Sequence, residues 1–557
     1  MPWEAKARPR AERWSRDETA EPRRNASCER AVSDFRGRLT GRMPAVEQAQ
    51  RPRRAQPPSD VAPHEVERSL KRGAVWALGA QIGVQAIRFA SVIVLARLLS
   101  PDDYGAAAIA VMIGAFSVTL GDLGYGLALV QASTASQRWA STACWCALGA
   151  GLLGSALAAL GAYPAALVVD DPEVTALVVA GGLTLALVAS ASTSNALLQR
   201  SMSFGVIQGA GLAASAAAAA CAIVAAVLGA GAWALVLQQV VLAAVTAAVL
   251  ILAARWRPSL EFSRTAFRSL SKFALPLTGG HAFGVLQPLV TALLIGHLIG
   301  IKGLGIWTLS MAAVTVPLSL LSYPLAQVIY AAFARMRDNP ERVAEVWVNG
   351  LTLLAAVVLP SLFGLIAVAP DLIPLAFGSQ WISAVPVVQI LAVYIMSRTL
   401  QTWNSPVMDA AGKPYIAMRL NALVLVMLPP GIWVGSQFGI EGVAIAFSLT
   451  ALLCGEIPSF VITTRELSLS RLRVLGGLRG IVISSVAACL AIVFARQWLE
   501  AAGIEIEPRV ALLVIVGALV YICGLALFAR TVAGELLQRV RGLGSALRAK
   551  SSPVGSA

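Results

Sequence analysis

From about Ala74 onward the chain alternates long apolar blocks with short polar punctuation. A block of 20 residues rises about 1.5 Å per residue as a helix, enough to cross about 30 Å of hydrocarbon. Fourteen such helices are predicted, over residues 74–98, 105–130, 141–163, 175–198, 206–228, 232–254, 270–296, 304–331, 343–368, 383–409, 413–436, 441–463, 476–495 and 509–529. The predicted fold is an all-α polytopic membrane protein.

Several blocks carry residues that hydrocarbon does not welcome. In the second, VTLGDLGYGLALVQ (118–131) places Asp122 among Gly121, Gly124 and Gly126. A carboxylate is expensive there and glycine is a poor helix former. The expectation is a break in the helix, with Asp122 either capping the resumed helix or holding a cation or proton. In the first block, Gln81, Gln85 and Arg88 fall at i, i+4 and i+7, on one helical face. Arg88 lies roughly 20 Å deep at 1.5 Å per residue, too far to snorkel easily. The tenth block repeats the stripe with Tyr394, Arg398, Gln401 and Ser405. The seventh contributes His281 and Gln287, and the twelfth Glu456. Deep arginines facing a cavity suit an anionic headgroup such as a phosphate or pyrophosphate. The plainer alternative for them is an interhelical ion pair, with Asp122 or Glu456 as partner. His281 has two readings as well, a proton-coupling group or a hydrogen-bonded core histidine. Candidate substrate-binding residues are thus Arg88, Gln81, Gln85, Arg398, Gln401 and His281, with Asp122 and Glu456 as candidate ion or cap residues.

The pattern also repeats. IVLARLLSPDDYGAAAI from Ile93 aligns with LLIGHLIGIKGLGIWTL from Leu293, setting Arg97 on His297 and Gly105 on Gly305. Six blocks lie between the copies, so both enter the membrane with the same polarity, as in transporters built of two rocking halves. At the same offset Asp122 lands on Ser322 and Gly124 on Pro324, a helix breaker in each half. The expected organisation is a basic tail (1–72), two six-helix bundles (73–258 and 259–468), two additional helices (469–530) and a C-terminal tail (531–557).

Charge orients this array. Connections after odd-numbered blocks carry Arg97, Lys302, Arg496 and Arg509 against ten carboxylates, whereas the others hold Arg255, Arg257, Arg264, Arg268, Arg471, Arg473 and Arg479. By the excess of cations in cytoplasmic loops, both termini are expected in the cytoplasm. Hydrophobic residues make up 57% and charged residues 13% of the chain, which excludes an ordinary soluble domain. The first 72 residues nevertheless hold 17 of the 44 Lys and Arg, with 11 carboxylates. Pro, Arg and Ala dominate this tail and its aromatic residues, Trp3, Trp14 and Phe35, are too sparse among its cations for the interleaving that nucleic-acid binding would need, so it is read as a solvated extension with no nucleic-acid partner. It contains no apolar core of a cleavable signal, and Met43 is a second candidate start that removes much of it. Six of the seven cysteines fall in apolar blocks, where they act as small hydrophobes.

No phosphate-binding GxxxxGK[ST] loop, kinase motif set or HExxH helix occurs, so no enzyme activity, cofactor or metal is expected. What does occur is an ordered set of motifs: ARLLSPDDYG (96–105), DLGYGLALVQ (122–131), LLQRSMSF (197–204), LGAGAWALVLQQ (228–239), LLIGHLIGIKGLGIW (293–307) and FGSQWISAVPVVQILA (377–392). Together they resemble the polysaccharide transporter family, the oligosaccharide-lipid flippase branch of the multidrug/oligosaccharidyl-lipid/polysaccharide flippase superfamily. The resemblance runs from about Ser69 to about Arg530. It implies two six-helix bundles in parallel pseudo-repeat around a central cavity, with two more helices. It also implies a polyprenyl-pyrophosphate-linked oligosaccharide moved from inner to outer leaflet for surface polysaccharide or lipopolysaccharide biosynthesis. Membrane lipids, glycosyltransferases and a polysaccharide polymerase are the implied partners. The chain departs from many relatives at Thr291, where they carry Asp, and at His297, where they carry Arg. The alternatives are a lipid II flippase or a multidrug/cation antiporter of the same superfamily, or a non-transporting membrane scaffold for glycosyltransferases. Deleting residues 1–68 separates transport from scaffolding: surface glycan should be unchanged for a transporter and lost for a scaffold that recruits through its tail.

Overall fold

A computed structural model describes residues 63–120, 123–132, 136–315, 340–401, 404–411 and 413–528. The side chains of residues 63–78, 116–120, 275–283, 285, 340, 400–401, 409–410 and 414 lie outside that description. The chain divides into two units, Met1–Arg68 and Ser69–Ala557, and the apolar helices long enough to cross a membrane belong to the second.

Every regular element among the described residues is helical. The first half runs α1 (Pro63–Leu98), α2 (Pro101–Leu120), α3 (Tyr125–Gln131), α4 (Gln137–Val169), α5 (Glu173–Arg200), α6 (Phe204–Val227) and α7 (Trp233–Ala254). The second half begins with α8 (Arg264–Leu298) and α9, described over Ile301–Thr315. It continues through α10 (Pro340–Phe377), α11 (Ala384–Gln401), α12 (Asn404–Ala410), α13 (Pro414–Ser436), α14 (Gly439–Ala451) and α15 (Ile457–Glu466). The additional pair is α16 (Arg471–Ala501) and α17 (Ile506–Phe528). Eleven helices among the described residues are long and apolar enough to cross a membrane, with two shorter apolar ones at Leu286–Leu298 and Ile301–Thr315. Among the described residues the predicted count of fourteen is not confirmed, and the chain is a multi-pass membrane protein.

The break expected in the second block is present. Helix α2 stops at Leu120, and Leu123 and Gly124 take positive φ values of 47° and 78° before α3 resumes. Glycine adopts that left-handed conformation without a Cβ penalty. The residue at the N-cap of α3 is Gly124. Asp122 itself lies outside the described residues, as do Ser322 and Pro324, the repeat counterparts of Asp122 and Gly124.

The two halves join at the end where α1 passes into α2 and α8 into α9, termed the Arg97 end. One hydrophobic core runs through both halves there, from Leu95, Tyr104 and Ile109 to Leu304, Trp307 and Trp381. The closest approach is backbone to backbone. A Cβ on Gly105 would land on the carbonyl oxygen of Ile301, and one on Gly305 on that of Pro101. The two glycines that the repeat aligns are therefore the crossing point of α2 and α9, an approach only small residues permit. Around them Trp381 Nε1 donates to the Ala96 carbonyl at 2.8 Å, and Tyr104 meets the Trp381 ring edge-on at 5.1 Å.

Helices α16 and α17 are held to the second half by a buried charge. Asp371, 2% exposed on α10, accepts from Arg496 Nε at 2.8 Å and Arg509 Nη2 at 2.9 Å. Tyr521 on α17 adds a hydrogen bond to the Ala356 carbonyl.

Two outcomes are expected in detergent-solubilised protein. Gly105→Val and Gly305→Val should each cost roughly 2 kcal/mol or more by overpacking and lower the melting temperature, whereas Gly149→Val, which faces no atom within 4 Å, should not. Asp371→Ala removes the carboxylate shared by two arginines, should cost about 3 kcal/mol, and should let limited proteolysis release a fragment holding α16 and α17.

Candidate functional site

A cavity of 640 Å³ lies in the second half, walled by α8, α9, α11, α12, α13, α14 and α15, with Met112 of α2 reaching in from the first half. Its position follows from the helix lengths. Trp307 is six residues into α9 from the Arg97 end, roughly 9 Å, and Thr315 is roughly 21 Å along. Ile416 and Ala417 lie in the first turn of α13, at the opposite end. The cavity thus extends from mid-depth toward the end away from Arg97. Toward the Arg97 end it is stopped by three buried aromatic rings. Phe447 stands between Trp307 and Tyr394, with centroids 5.0 Å away on each side and both contacts edge-on.

Among the described residues that line it, Arg398 is the single charged one. It sits in the last turn of α11, where the helix dipole favours a cation. Its Nη1 donates to the Tyr394 hydroxyl at 2.9 Å, one turn back on the same helix, which fixes the head of a long side chain. The Arg398 charge also reaches the Glu456 carboxyl group, at the junction of α14 and α15. Glu456 is 6% exposed and belongs to a π-helical turn, Leu452–Glu456, that joins α14 to α15. Such turns interrupt the regular hydrogen-bond ladder and gather at functional sites. The remaining polar wall is neutral: Gln287, Thr291, Thr308, Thr315, Ser405, Asn421 and Ser459. Ser459 is positioned from behind by buried Asn404, whose amide donates to it at 3.0 Å. At the far mouth Lys413 bonds Glu466 at 2.7 Å, and that hydrogen bond raises the lysine's pKa.

The residues expected from sequence are distributed unevenly around this cavity. Arg398, with Tyr394 and Ser405 of the same stripe, is on the wall, as is Gln287. Glu456 is buried beside Arg398. Gln401 ends α11 and His281 lies on α8 one turn before Gly284 of the wall, but the side chains of both are outside the described residues. Gln81 and Gln85 are half-buried and Arg88 is exposed on α1, and none of the three lines this cavity. Thr291 and His297, the two positions of departure, separate. Thr291 is on the wall, its hydroxyl bonded to the Gln287 carbonyl at 2.8 Å, while His297 is at the Arg97 end. Sequence reasoning passed over Asn421, Thr308, Thr315 and Ser459. A carboxamide in the apolar eleventh block was a visible signal for Asn421, but isolated hydroxyls are too common in such helices to stand out.

Known proteins share the sequence and fold of this chain. The model of a family described as polysaccharide biosynthesis protein matches residues 94–386. The lipopolysaccharide biosynthesis protein WzxC of Escherichia coli K12 is 24% identical, over 70% of this chain and 80% of its own length. The succinoglycan biosynthesis transport protein ExoT of Rhizobium meliloti is 23% identical, over 88% of this chain and 98% of its own. The teichuronic acid biosynthesis protein TuaB of Bacillus subtilis 168 is 23% identical, over 67% and 78%. Among solved structures, lipid II flippase MurJ in an inward closed conformation superposes with a TM-score of 0.65 at 14% identity, covering 82% of this chain and 99% of that one. That likeness concerns the fold.

Proposed function

The chain belongs to the polysaccharide biosynthesis protein family, and on that basis we propose that it is a flippase for a polyprenyl-pyrophosphate-linked oligosaccharide. It moves this lipid from the inner to the outer leaflet of a bacterial plasma membrane for the assembly of a surface polysaccharide. The observation that carries the reading is the cavity: a polar space in a membrane protein, closed at the Arg97 end, with one arginine among its described lining residues. A pyrophosphate cannot enter hydrocarbon unaided, because an unpaired buried charge is prohibitively costly. Arg398 offers it a guanidinium fork, held in place by Tyr394, while neutral amides and hydroxyls suit sugar hydroxyl groups. The names of the three relatives, all in polysaccharide or glycan biosynthesis, favour an exported glycan over the lipid II named for the structural neighbour.

The distribution of cations supports placing the Arg398 end and both termini in the cytoplasm. The cavity then faces the leaflet in which such lipids are made. An inside-negative potential assists outward movement of an anion by about 2.3 kcal/mol per charge per 100 mV, a drive that needs no nucleotide. Glycosyltransferases and a polymerase are the partners such a substrate requires before and after the transfer.

The test is glycan accounting in a strain deleted for this protein. Complementation with Arg398→Ala should fail, lipid-linked repeat units should accumulate on the cytoplasmic side, and export should fall 10-fold or more, in line with about 1.5–3 kcal/mol for a hydrogen bond to a charged group. Arg88→Ala in the same strain reports whether the stripe on α1 acts in transport. Unchanged lipid intermediates in the deletion strain would remove the substrate class from consideration.

A further inference from the structure

The repeat produces a second set of contacts at the Arg97 end, distinct from the glycine crossing. Arg97, in the last turn of α1, donates from Nε to the Ala376 carbonyl at 3.0 Å and from Nη2 to that of Leu375. Both carbonyls lie in the last turn of α10, where a helix has run out of its own amide donors. His297 is the repeat counterpart of Arg97, at the end of α8. Its Nδ1 donates to the Val168 carbonyl at 3.0 Å, in the last turn of α4. Helices α4 and α10 are the third membrane helices of the two halves. The first helix of each half therefore ends in a side chain that crosses to the C-terminus of the third helix of the other half. The crossing is reciprocal.

Two physical features distinguish these crossings from ordinary packing. A donor at a helix C-terminus meets both unsatisfied carbonyls and the negative end of the helix dipole, which favours a cationic guanidinium. Both donors are also exposed. When such a bond opens, water replaces it on each side, so the net cost of release is far smaller than for a buried pair. The arms are unequal, since the guanidinium engages two carbonyls and the imidazole one. They lie at the closed end of the cavity, where the halves must part if its contents are to leave on that side.

We propose that Arg97 and His297 form a paired, releasable latch that holds the Arg97 end shut in this state, and that both crossings open before the cavity communicates with that side. The latch is independent of what the cavity carries, and its test reads a distance rather than transport.

Spin labels are placed at Glu173→Cys in the first half and Ser379→Cys in the second, both exposed at this end, in the full-length chain with its seven native cysteines replaced. Distances are then measured by pulsed electron resonance in lipid nanodiscs. The parent should show one short distance. Arg97→Ala should add a longer population, and the double variant Arg97→Ala/His297→Ala should enlarge its share several-fold over either single change. His297→Arg, which restores a fork on the weaker arm, should shrink that share in the Arg97→Ala background. Lys302→Ala, an exposed cation lost at the same end, should leave the parent distribution intact. A double variant with the parent distribution overturns the latch. If Arg97→Ala does not accumulate as folded protein, His297→Ala decides alone: a longer population supports the latch, and an unchanged one removes it.

Discussion

The structure turns on a contact between two glycines. Where α2 crosses α9, Gly105 and Gly305 bring the backbones of the two halves together, with the carbonyls of Pro101 and Ile301 where any Cβ would stand. In hydrocarbon, helices gain little by hiding apolar surface from lipid that is equally apolar, so close van der Waals contact between small residues is what holds them. This contact fixes the Arg97 end as the place where the halves meet. The shared core, the Trp381–Ala96 hydrogen bond and the crossings by Arg97 and His297 are arranged around it. The polar cavity lies on the other side of that seam.

Charge inside the membrane is handled in two different ways in the same half. Asp371 is fully engaged by two arginines and buried among α10, α16 and α17, an arrangement suited to holding helices together. Arg398 keeps part of its guanidinium on a cavity wall, with a tyrosine hydroxyl and the Glu456 charge for company. An ion pair sealed on all sides has nothing left to offer a ligand. A guanidinium that borders a polar space can still meet an incoming anion. The difference lies in which helices surround each group.

Much of this protein is legible in its linear pattern. Block length and the demand that every backbone amide be satisfied in hydrocarbon specify helices, and the cluster at 121–126 specifies an interruption, found at Leu123–Gly124. The 200-residue offset pairs Gly105 with Gly305 and Arg97 with His297, and each pair occupies equivalent places in the fold. These features are local or periodic, so they survive in a one-dimensional record. Packing in three dimensions was needed to put Arg398 beside the cavity while Arg88, equally deep in its own block, is absent from the described wall. The same packing makes Asp371, whose place in the sequence suggested an ordinary connection, a buried clamp. Depth along a helix follows from counting residues, but the direction a side chain faces depends on which neighbour the helix packs against, and that neighbour is distant in the chain.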